Sequence, residues 1–158
     1  MKTFALVAIF CLVCFWGHAM IIEASLDEIA QGADVIVVAD VEAVKTVGSV
    51  EAGATVIANL VKVDEPIKGK VAVGEKLKIK TYGLIEDNAV LVEKTRVLLF
   101  LKKNEDHYLI HLGIQGCWPI DAVTGKLTGM GDGRTLEEVK EAAKKEPAPA
   151  KAYEPLSL

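Results

Sequence analysis

Residues 96–121 read "RVLLFLKKNEDHYLIHLGIQGCWPID", and the fold turns on how this stretch divides. The segment "TRVLLFLKK" at 95–103 is apolar on both faces and reads as a central strand. Asn104-Glu105-Asp106 supplies turn chemistry, and "HYLIHL" at 107–112 returns as the hairpin partner. A strand apolar on both sides needs further sheet and a covering layer around it.

The chain upstream provides the sheet. "DVIVVADVEAVKTV" from Asp34 is β-branched and reads as a first strand, buried on both faces near its start. "GSVEAG" at 48–53 is a turn or loop. "ATVIANLVKVDEPIKG" follows as a long second strand expected to stop at Pro66, where the ladder donor is lost. "GKVAVGEK" at 69–76 is a turn, and "EKLKIKTYG" at 75–83 alternates cleanly. Leu77, Ile79 and Thr81 point one way; Lys76, Lys78, Lys80 and Tyr82 point the other.

Helices flank these strands. "SLDE" at 25–28 is a capping box opening a short helix that ends near Gln31-Gly32. Beyond Asp121 the chain turns glycine-rich, and Thr135 with Glu138 forms a second capping box before "LEEVKEAAKK". Glutamates in the first turn and lysines in the last suit that helix's dipole. Five strands and no strand–helix alternation predict an all-β barrel or sandwich with peripheral helices.

The N-terminal "MKTFALVAIFCLVCFWGHA" has the form of a secretory signal peptide: Lys2, an apolar run from Phe4 to Trp16, then Gly17-His18-Ala19 as cleavage site. Cleavage after Ala19 starts the mature chain at Met20; an uncleaved membrane anchor is the alternative. Residues 1–19 carry one lysine and no acid, so cleavage takes the net charge from −4 to −5. That acidity argues against nucleic acid as main partner. The expected organisation is a signal peptide (1–19), one barrel domain with its C-terminal helix (20–145), and a proline-spaced tail (146–158). Cys11 and Cys14 leave with the signal peptide. Cys117 remains and cannot staple its own chain, so the fold rests on a hydrophobic core.

Most catalytic and metal patterns fail on inspection. His107 and His111 lack the glutamate that the zincin motif places after the first histidine. On a strand they would lie about 13 Å apart, too far to share an ion, and they read as surface residues. No metal or cofactor is expected. "GKVAVGEK" lacks the Gly-Lys-Ser/Thr ending of a phosphate loop, and "GMGDGRT" at 129–135 reads as loop-to-helix entry because Asp132 would repel an anion. No G-x-S-x-G elbow is present. Cys117 with His107 or His111 could form a nucleophilic dyad, whereas a buried thiol acting as a small hydrophobe is the preferred reading. Lys76, Lys78, Lys80 and Tyr82 are candidate ligand-binding residues along one face. Guarding an edge against aggregation is the preferred reading for those lysines. Trp118 is a further candidate contact, although it and Pro119 also suit a packed location.

"ADVIVVADVEAV", "VKVDEPIKG", "GEKLKIKTYG" and the opening 96–121 stretch together resemble the five-stranded OB-type barrel, over about residues 33–121. The pattern is similar to secreted OB-like domains of the netrin and metalloproteinase-inhibitor kind, and to small exported bacterial proteins. The resemblance implies a five-stranded OB-like barrel. It does not carry over inhibition, which in those inhibitors uses a disulfide-tied N-terminal cysteine; Met20-Ile21-Ile22 stands in its place here. The function expected is an exported, non-catalytic binding module for a protein or cell-envelope component. Two alternatives are a secreted enzyme using Cys117, and an accessory subunit docking through its C-terminal helix and tail.

Overall fold

The computed structural model describes residues 23–50, 53–83 and 87–145. The expected signal segment and proline-spaced tail lie outside the described residues. Helix α1 (Leu26–Gly32) is followed by strands β1 (Val35–Ser49), β2 (Thr55–Lys68), β3 (Lys76–Gly83), β4 (Arg96–Asn104) and β5 (His107–Ile110). A 3-10 turn (Gly113–Gly116), strand β6 (Cys117–Ile120), a second 3-10 turn (Gly129–Gly131) and helix α2 (Leu136–Lys144) complete the order.

The strands neighbour one another in the order β1-β2-β3-β5-β4, and β4 pairs back onto β1. This closes a five-stranded OB-like barrel. All pairings around it are antiparallel except β3–β5, a short parallel contact through Ile79–Tyr108 and Lys80–Leu109. Closure removes most of the exposed edge that an open sheet would carry.

Two strands are buried on both faces because the molecule has two cores. Inward residues Val35, Val37 and Ala39 of β1 and Val97, Leu99 and Leu101 of β4 fill the barrel with Val61, Val63, Leu77 and Ile79. The alternate residues Ile36, Val38, Leu98 and Phe100 face outward and meet both helices through Ile29, Ala30, Val139 and Ala142. The uninterrupted apolar runs of β1 and β4 are thus two interleaved period-two patterns. The irregular segment before β4 contributes Ala89 and Leu91 to the barrel core. Both predicted capping boxes form: Ser25 and Thr135 accept from the backbone N–H of Glu28 and Glu138, whose carboxylates accept in return from the cap N–H groups.

Two expectations need correction. β2 does not stop at Pro66 but runs to Lys68. β3 lies beside β2 only from Thr55 to Lys62, so the missing N–H falls where one flank has no ladder, between two register shifts against β1. The barrel also carries a sixth strand. Between the pairs Leu101–Ile110 and Leu99–Cys117, β4 advances two residues while the returning chain advances seven. The 3-10 turn absorbs that excess, and β6 resumes alongside the first half of β4.

Candidate ligand-binding face

The register of β1, β2 and β3 builds a surface rung by rung. Residues directly opposite in an antiparallel pair point to the same side. Leu60 lies between Ala43 and Lys78, Ala58 between Lys45 and Lys80, and Val56 between Gly48 and Tyr82. Their neighbours Asn59 and Val61 are buried in the barrel with Leu77 and Ile79, so this second set faces out. The result is a low apolar floor along β2 with Lys78, Lys80 and Tyr82 on one side and Lys45 on the other. The ammonium of Lys80 sits 5.4 Å from the centre of the Tyr82 ring, within cation–π range.

The next rung, Asp40–Lys62–Lys76, has a different balance. Lys76 pairs with Glu42 at 2.7 Å, and Lys62 stands opposite Asp40. Lys45, Lys78 and Lys80 form no ion pair among the described residues. The helices lie elsewhere: they pack over the outward residues of β1 and β4, and Lys145 of the α2 end bridges to Asp27 of α1 at 2.8 Å. The sequence-derived row Lys76, Lys78, Lys80 and Tyr82 therefore does share one outward face. The signal it missed was the β2 floor, since Val56, Ala58 and Leu60 are recognisable as outward only once the β2–β3 register is known.

Trp118 does not join that face. It is 2% exposed, stacked edge-on against Phe100 with ring centres 5.0 Å apart, and its indole N–H donates to the Gln115 carbonyl at 2.7 Å. Gly131 lies flat against the ring; a β-carbon there would come within 2.6 Å of it. Trp118 is a packing residue of the outer core, which removes it from the candidate contacts.

Cys117 points the opposite way, into the barrel, and is 7% exposed. Burial pushes its thiol up to about 12, so it stays protonated at neutral pH. It lines an apolar groove of about 350 Å³ with Ala89, Val90, Ile114, Pro119 and Met130. Neither histidine is its partner. His107 contacts Asp106 at 3.0 Å and Asn104 at 3.2 Å. The His111 ring packs against Gly32, whose added β-carbon would meet it at 2.3 Å. Both histidines are half-buried, not surface residues as their spacing suggested. Desolvation, then the charge of Lys102, holds His111 below its ordinary value.

The remaining motifs are local structure. Residues 69–75 form the β2–β3 turn, fastened by Gly74 N–H to Val63 O and Ala72 N–H to the Glu75 carboxylate. The N-terminus of α2 is closed by its own Thr135–Glu138 box. No group of His, Cys, Asp or Glu suited to a metal ion occurs among the described residues. Among them, too, no helix is long and apolar enough to cross a membrane. No protein-family model matches the chain, and no curated protein sequence matches it.

Proposed function

We propose that this protein is an exported, non-catalytic binding module that engages a protein or cell-envelope component through the outward face of β1, β2 and β3. The observation carrying the proposal is this wall, which neither helix covers and whose floor residues Val56 and Leu60 are half-buried and Ala58 exposed. Both helices use their apolar sides on β4, the start of β1 and the end of β2, leaving Val56, Ala58 and Leu60 flanked by lysines that form no salt bridge among the described residues. Scattered surface valines need no explanation, whereas apolar positions in register between cations and an aromatic ring form a contact surface.

Two alternatives are less well supported. A secreted enzyme with Cys117 as nucleophile would need a reachable thiolate, and the thiol faces the core. An accessory subunit docking through α2 and the tail would need a free apolar stripe on the helix, where Val139 and Ala142 are already buried against the barrel; the tail lies outside the described residues.

The test is retention after export. The double variant Lys78→Glu/Lys80→Glu should be found free in the extracytoplasmic fraction, while the native chain and a control Lys126→Glu/Lys144→Glu co-fractionate with their partner. Equal retention of all three would contradict the assignment of the face.

A further inference from the structure

Resting on the assignment of this face, we infer that its partner is an extended, acidic protein segment with small apolar side chains interspersed among its carboxylates. The dimensions favour one strand-like chain. Three neighbouring strands give a floor about 10 Å across, and Val56 to Leu60 span about 14 Å. Alternate residues on β3 place Lys78 and Lys80 about 7 Å apart, the repeat of an extended chain and not the 5.4 Å pitch of a helix.

Charge and polarity set the chemistry. Lys45 on one side and Lys78 and Lys80 on the other form no salt bridge among the described residues, although the charge of Lys78 is felt by the Asp106 carboxylate, and the protein's overall charge is negative. A ligand bringing carboxylates to these ammonium groups satisfies both flanks of the trough. Glu42 and Asp40 at the far rung set a boundary, because Lys76 and Lys62 there already face carboxylates. The floor of Leu60, Ala58 and Val56 adds a demand that a purely charged polymer does not meet. Apolar side chains laid on it lose contact with water, whereas sugars or phosphates would leave it wetted.

The experiment is a titration of the isotope-labelled exported chain, followed by amide shifts, with an eight-residue peptide of alternating glutamate and valine. An alternating glutamate–serine peptide, a sulfated oligosaccharide and phosphatidylglycerol vesicles serve as competing probes. The expected result is saturable shifts confined to residues 43–48, 56–62 and 76–82. Binding should weaken about tenfold, or 1.4 kcal/mol, in Lys78→Glu/Lys80→Glu. The Lys78→Gln/Lys80→Gln variant should lose less, and raising salt should weaken the complex. The serine peptide should bind at least about fivefold more weakly, since it keeps the charge and lacks the apolar contact.

Unchanged affinity in both lysine variants would overturn the inference, as would tighter binding of the oligosaccharide or vesicles, or shifts centred elsewhere. Concentration-dependent self-association through the same residues would make a second copy the occupant and equally overturn it. Failure of the peptide alongside retention that still depends on Lys78 and Lys80 would reject the acidic segment while leaving the binding face standing.

Discussion

Single residues carry much of this molecule's logic. Trp118 ties β6, the 3-10 turn before it and the Gly131 turn into one outer core. Trp118→Ala is expected to cost about 3–5 kcal/mol in denaturant unfolding. Gly131→Ala, which drives a methyl into the indole, is expected to cost about 1–3 kcal/mol. Cys117 is the residue most open to misreading from sequence. A lone thiol in a chain expected to be exported suggests reactivity, yet Cys117 is packed with Val97 and Leu99 inside the barrel. In native buffer at pH 8 it should resist alkylation and label rapidly once unfolded, as read by intact mass. Fast native labelling would return the thiol to the list of functional groups. His111 gives the pH dependence a definite sign. Its folded value lies below the ordinary 6.5 because burial disfavours its charged form, so the unfolded chain binds the extra proton. Its contribution is fully present above pH 6.5 and is lost as pH falls toward the lower folded value. Asp34, lowered chiefly by the Lys103 backbone N–H, adds its own loss only below 3.8. Urea midpoints between pH 7.5 and 5 should therefore fall less in His111→Gln than in the native chain.

At the scale of elements, what could be read in advance was what local chemistry dictates. Both helices announce themselves by capping boxes, and β3 by strict alternation. Thr135→Ala should accordingly cost about 1 kcal/mol, measured by thermal or denaturant unfolding. The double-sided burial of β1 and β4 was legible as long apolar runs, although which face meets helices and which fills the barrel was not. β6 was invisible because Gly113, Gly116 and Pro119 all signal loop. Its pairing with β4 depends on a partner more than fifteen residues away. Pro66 misled for a related reason: proline opposes a strand only where its missing N–H faces a neighbour, and the local sequence does not say where β3 ends. The candidate face was half legible. The lysine row follows from alternation alone, while the apolar floor beside it requires the tertiary register.

The whole molecule divides its surface between two tasks. One side of the barrel is sealed by α1 and α2 over a second core, clamped by the Lys145–Asp27 and Lys140–Glu65 pairs at 2.8 and 2.9 Å. Such exposed pairs contribute little individually; the apolar contacts beneath them hold the helices. The second half of β1 with the first half of β2 and β3 carries no helix among the described residues and turns its cations outward. Under the proposed function, recognition belongs to this wall and not to the thiol or the histidines. The most direct test is photocrosslinking in cells that produce the protein, with p-benzoylphenylalanine introduced separately at positions 58, 80 and 126. The account predicts a discrete adduct from positions 58 and 80, abolished when the other wall lysines are reversed, and none from position 126. Adducts from position 126 alone, or from all three equally, would contradict it.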